Sequence, residues 1–129
     1  MAIIIDQQNT STEDGVWAKF GGSEFKIAHS GNPKFQRALT RLQAPHRRKI
    51  EKGTLDPVES KDIICQAMSE GLILDWRGVI DSKGSEVKFD KAQCRMALKN
   101  NDDLREFVQE FSTDLENFRA EEQEQEGNA

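Results

Sequence analysis

Hydrophobic and polar positions alternate twice near the start of the chain. Val16-Trp17-Ala18-Lys19-Phe20 meets Ser23-Glu24-Phe25-Lys26-Ile27-Ala28 across Gly21-Gly22. A Gly-Gly pair between two short alternating runs predicts a β-hairpin, because glycine tolerates the positive φ of a tight turn. Val16, Ala18 and Phe20 then share one face, with Phe25 and Ile27 on the matching one. An isolated hairpin is marginal in water, so this one needs helices to pack on.

The spacing becomes helical after Gly31-Asn32-Pro33. Asn32 is placed to cap and Pro33 to occupy the first helical position, and Phe35, Ala38, Leu39 and Leu42 supply an apolar stripe. Pro45 breaks this helix, and His46 to Lys52 continues as a short basic stretch ended by Gly53. Asp56-Pro57-Val58-Glu59 is the clearest helix start, with Ile64, Ala67, Met68, Gly71 and Leu72 as its stripe. This helix is expected to end near Leu74 to Trp76, followed by a turn-rich connection around Gly78 and Gly84. Asp90 caps a short helix carrying Cys94, Ala97 and Leu98, which Asn100-Asn101 interrupts. Leu104, Phe107, Val108, Phe111, Leu115 and Phe118 then recur every three or four residues as a final amphipathic helix. The expected fold class is therefore mainly α: about four to five helices with an N-terminal β-hairpin, over residues 15–118. Residues 1–14 read as a flexible polar arm and 119–129 as a disordered acidic tail.

Charge changes this picture by its distribution. The formal net charge is −5. Between Lys34 and Lys52, however, seven basic residues (Lys34, Arg37, Arg41, Arg47, Arg48, Lys49, Lys52) face one acid, Glu51. From Asn101 onward ten acids face two bases, Arg105 and Arg119. A chain so divided is dipolar, and its ends can steer toward partners or toward one another.

Catalytic patterns are missing from the sequence. His29 and His46 have no ligand at metal spacing. There is no G-x-S-x-G, no phosphate-binding glycine loop and no H-E-x-x-H. Asp75 and Asp81 flank Trp76 as carboxylates around a turn, where caps and solvated charges are the simpler reading. Cys65 and Cys94 stand apart among helical neighbours and read as buried free thiols rather than a disulfide. No cofactor or metal is implied. Ile3-Ile4-Ile5 is too short an apolar run for a signal peptide or membrane span, so a cytosolic, non-enzymatic protein is expected.

Three surfaces carry the candidate binding residues. Arg47, Arg48 and Lys49 offer an electrostatic footprint for phosphates or for an acidic partner, although the overall acidity disfavours nucleic acid. Trp76 and Arg77 are residue types found at binding hot spots, with a structural role for Trp76 at a helix end as the simpler reading. Phe107, Phe111 and Phe118 are core positions first, with part of their stripe free to receive a partner helix or a second copy.

The order of these elements resembles the tail assembly chaperone family of long-tailed bacteriophages from about residue 15 to residue 118. The resemblance rests on the Trp17 to Ala28 hairpin, on Gly31-Asn32-Pro33-Lys34-Phe35 and on Ile73-Leu74-Asp75-Trp76-Arg77-Gly78-Val79. Asp103-Leu104-Arg105-Glu106-Phe107-Val108 and Phe118 complete it. It implies a non-catalytic assembly factor, acting in the host cytoplasm and absent from the mature virion, that coats the aggregation-prone tape measure protein. It further implies a frameshift-extended form that recruits tail tube protein. It carries over no active residues. A small nucleic-acid-binding regulator acting through residues 34–52 is the alternative.

Overall fold

The computed structural model describes residues 14–118. The two alternating runs form strands β1, Val16–Phe20, and β2, Ser23–Ile27, paired antiparallel with Val16 opposite Ile27 and Phe20 opposite Ser23. Gly21 and Gly22 close the turn at φ +59° and +82°. Helix α1, Pro33–Gln43, leads through a 3-10 turn at Ala44–His46 into the short α2, Arg47–Glu51. Helix α3 spans Pro57–Gly71, α4 spans Lys91–Asn100 and α5 spans Asp102–Thr113. The acidic tail and all of the N-terminal arm but Asp14 lie outside the described residues.

The mainly α expectation is overturned by a third strand, β3, Ile73–Arg77, which pairs antiparallel with β2. The fold is mixed α/β: a three-stranded antiparallel sheet, ordered β1-β2-β3, with helices packed on one face. Helix α3 stops at Gly71, earlier than the sequence suggests, and the chain turns directly into the sheet. Phe25 lies opposite Trp76 and Lys26 opposite Asp75, but Ile27 lies opposite Ile73, which leaves Leu74 as an extra residue in the strand. This bulge shifts the side-chain alternation, so that Ile73 and Trp76 both point into the core.

The inner face of the sheet, with Ala18, Phe25, Ile27, Ile73 and Trp76, meets Phe35 and Ala38 of α1 and Cys65 and Met68 of α3 in one core. Leu98 of α4 and Leu104 and Val108 of α5 complete it. The outer face carries Trp17, Lys19, Glu24, Lys26, Asp75 and Arg77. There the Arg77 guanidinium lies 3.7 Å above the Trp17 ring and 3.3 Å from Glu24, a cation–π and ion-pair arrangement that staples β1 to β3 across β2.

Asn32 joins three elements. Its Oδ1 accepts the Phe35 N–H at 3.0 Å, and its Nδ2 donates to the carbonyls of His29 at 2.6 Å and of Gly71 at 3.0 Å. At 2% exposure it is a buried polar group with its bonds made. Asn32→Ala removes the cap of α1 and strands the buried Gly71 carbonyl, while the His29 carbonyl keeps the Asn32 backbone N–H, for an expected loss of about 2–3 kcal/mol in urea unfolding. An Asn32→Asp chain, which keeps the cap but not the amide donor, should fall between. A loss no larger than that of an exposed cap would show that the carbonyl bonds contribute nothing.

Helices α3 and α4 are linked by Asp62, which accepts two 2.8 Å bonds from Arg95 and lies 3.2 Å from Lys99. The Arg95 hydrogen bonds hold the Asp62 carboxyl below its ordinary value of 3.8. A depressed carboxyl stabilises the fold above that value, and the contribution is lost as pH falls through the lowered one. Both side chains are 37% exposed, so solvent screening keeps the effect below about 1 kcal/mol. Asp62→Asn should therefore lower the melting temperature slightly at pH 7 and have no effect near pH 2. Equal effects at the two pH values would rule out the ion pair as the cause.

Candidate functional site

The basic segment becomes a helical elbow. Proline at 45 has no N–H to donate, and the chain tightens there into the 3-10 turn between α1 and α2. Gly53, at φ +68°, ends α2, and the Gly53 and Thr54 N–H groups close its carboxyl end on the Ile50 and Lys49 carbonyls. Arg47, Arg48, Lys49 and Lys52 are all exposed on this elbow. Arg47 approaches Glu51 at 3.9 Å; Arg48, Lys49 and Lys52 have no carboxylate at ion-pair distance among the described residues.

Ile50 stands among these charges at 38% exposure and lines two adjoining clefts. One, of about 460 Å³, lies between the elbow and α3 on a floor of Leu39, Leu55, Ile63 and Ile64, with Gln109 of α5 at its wall. The other, of about 450 Å³, separates α2 from the end of α1, with Thr40 and Ala44 against Arg47. The polar groups of the larger cleft are Gln43, Ser60 and Gln109, none of which titrates. The arrangement is an aliphatic trough with the cationic helix α2 as its rim, of which only Arg47, facing Glu51, lines a cleft. It is suited to gripping a side chain from an apolar stripe while the exposed cations of α2 pair with acids farther along the partner.

The other candidate residues fall elsewhere. Trp76 is buried, donates Nε1–H to the Val87 carbonyl at 2.8 Å and meets Phe25 and Phe89 edge-on. It fastens the connection after β3 to the core and is not available as an interface anchor. Arg77 lies on the outer sheet face, away from the elbow. Phe107 and Phe111 are half-buried, and Phe107 stacks on Phe20 of the hairpin at 4.8 Å. Phe118, expected on a continuous last helix, instead follows a break at Asp114, whose Oδ1 accepts the Glu116 N–H and starts a new turn. The chain folds back so that Phe118 sits fully buried between Phe111 and His29. Its side chain is part of the core and offers no surface to a partner.

Asp81 closes the turn after β3 by accepting the Lys83 and Ser85 N–H groups, and Asp75, within β3, accepts the Trp76 N–H. Cys65 and Cys94 are free and buried. Burial raises both thiols, that of Cys94 to about 12, so neither is a ready nucleophile. Among the described residues no three metal-ligating side chains gather, and no helix is long and apolar enough to cross a membrane.

The trough itself was missed by sequence reasoning. Its one signal was Ile50, a lone large aliphatic residue within Arg47-Arg48-Lys49-Ile50-Glu51-Lys52.

The family model of the YdaY prophage protein matches residues 30–128 of the 129. The chain belongs to the YdaY prophage protein family. It is thus a phage-derived protein. No curated protein and no solved structure matches it. The YdaY match takes in the elbow, the trough and the acidic segment after Phe118, and begins just beyond β2.

Proposed function

We propose that this YdaY-family chain is a non-catalytic tail assembly chaperone that holds the tape measure protein through the elbow. On this reading it acts in the host cytoplasm and leaves before the virion is complete. The observation that carries the proposal is the trough: aliphatic side chains at its floor, beside a short helix whose exposed face carries Arg48, Lys49 and Lys52. An unassembled tape measure protein exposes apolar helical stripes that associate with one another. A trough of about 460 Å³ covers only a short stretch of a long helical partner, so each grip is weak, and many copies along that partner would supply avidity.

Co-expression with the tape measure protein of the same phage tests this. The partner should stay soluble and co-purify in moderate salt, whereas Ile50→Glu, which places a charge in the trough, should return it to the pellet. An insoluble partner in the presence of well-folded chaperone would overturn the reading.

The exposure of Arg47, Arg48, Lys49 and Lys52 supports a second reading, a nucleic-acid-binding regulator. It requires a DNA affinity that falls with salt at a log–log slope of about −3 for three or four phosphate contacts, and that is lost when Arg47, Arg48 and Lys49 become glutamine. Ile50→Glu separates the two: it abolishes partner capture, while the triple glutamine change weakens it. We favour the protein partner because phosphates make no use of an aliphatic floor.

A further inference from the structure

The rim has a second candidate occupant within the same chain. After Phe118 the sequence runs Arg119-Ala120-Glu121-Glu122-Gln123-Glu124-Gln125-Glu126, four acids against one base. The rim offers Arg47, Arg48, Lys49 and Lys52 against Glu51. We propose that residues 119–126 dock on this rim and compete there with the partner, so that the chain screens its own binding site until a better ligand displaces the segment. This inference rests on the reading of the elbow as the binding site.

Three observations carry it. The first is where the segment leaves the fold. Phe118 packs edge-on against His29 with ring centroids 5.3 Å apart; His29 lies just before Asn32, the cap of α1, and the elbow begins at the other end of that helix. Eight residues span up to about 26 Å when extended, whereas the whole of α1 is about 16 Å long. The elbow is therefore within reach. The second is that six cations elsewhere are already engaged, while Lys19, Lys26, Lys83, Lys88 and Lys91, which have no ion pair among the described residues, are dispersed along the chain. Arg77 pairs with Glu24, Arg95 and Lys99 pair with Asp62, Arg41 pairs with Glu70, and Lys61 and Arg105 pair with Asp102. Arg48, Lys49 and Lys52 are left for an incoming acid. Lys34 and Arg37, exposed on α1, extend the same cationic surface along the helix. The third is that the YdaY family match runs through residue 128, which makes the acidic segment part of the family's common unit.

The attraction is one of several exposed charges, so it is screened by salt, with a Debye length of about 10 Å at 0.1 M and about 3 Å at 1 M. Tethering supplies an effective concentration in the millimolar range, so a weak contact suffices to fill the rim for much of the time. A rim filled four-fifths of the time leaves one-fifth competent and weakens the partner's apparent affinity about fivefold.

The test compares the full chain with the full-length variant carrying Glu121→Gln, Glu122→Gln, Glu124→Gln and Glu126→Gln. Amide and methyl NMR spectra are recorded at about 0.05 M and about 0.5 M salt, spanning strong and weak screening. The expected result is a set of low-salt differences confined to Arg47–Gly53 and the Ile50 methyl, which fade at high salt. Amides of Lys91–Asn100 should coincide throughout. Coincident spectra at 47–53, or differences spread over the whole fold, overturn the proposal. Capture of the tape measure protein is then measured with both chains, and the variant should bind about fivefold tighter. Local spectral differences without capture by either chain leave the docking intact and remove the chaperone reading. Equal capture with coincident spectra does the reverse.

Discussion

Gly71→Ala is expected to destabilise the protein by about 3 kcal/mol or more, near the upper end for forcing extra volume into a packed site. A Cβ built at Gly71 lies 2.5 Å from the Phe35 Cα, 2.6 Å from its backbone N and 2.8 Å from its Cβ. Two of these three atoms are backbone, so no rotamer change relieves the overlap and helix α1 must move as a body. That movement also breaks the 3.0 Å bond from Asn32 to the Gly71 carbonyl and disturbs the cap of α1. For a domain of this size the loss corresponds to a melting temperature lower by about 12 °C or more. Gly84→Ala is the control: its Cβ meets nothing within 4 Å, and the cost is limited to the strain of a positive φ. If Gly71→Ala melted at the parental temperature, the close approach of α1 and α3 would be wrong.

Phe118→Ala is the second large effect, an expected loss of about 3–5 kcal/mol for truncating a fully buried aromatic. Its distinguishing readout is His29. Burial holds the His29 imidazole below its ordinary value of 6.5, and the Phe118 ring, 5.3 Å away and edge-on, is part of what buries it. Removing that ring admits water, so the His29 pKa should rise toward 6.5 when followed by NMR. Because the folded imidazole is depressed, the parent loses stability as pH falls below the ordinary value, and the variant should lose less. A His29 titration identical in the two chains would place Phe118 elsewhere.

Local chemistry made most of the element boundaries legible. The Gly21-Gly22 turn and the caps Asn32, Asp56 and Asp90 depend only on residues within a few positions, and each side-chain cap forms as its sequence suggests. The third strand was hidden by its bulge. Met68, Leu72 and Trp76 continue the four-residue spacing of α3, so Ile73–Arg77 reads as one more turn of helix. Only pairing with β2, distant in sequence, reveals the strand. The candidate site divides in the same way. Its charges sit together in the sequence and were visible, whereas Leu39, Leu55, Ile63 and Ile64 come together only when α1 folds back along α3. The phenylalanine stripe was right in its spacing, but Asp114 interrupts the helix and turns the last ring inward.

The aromatic chain from Phe20 through Phe107 and Phe111 to Phe118 and His29 has a consequence for the order of events during synthesis. The hairpin leaves the ribosome about eighty residues before its stacking partner at 107, and Phe118, which packs on His29 just beyond it, comes later still. Its other neighbour, β3, arrives only at residue 73. Contacts so far apart in sequence slow folding, because the chain must close long loops before they form. Until then Phe20, Phe25 and Ile27 are exposed on a half-made sheet whose edge is open to other chains.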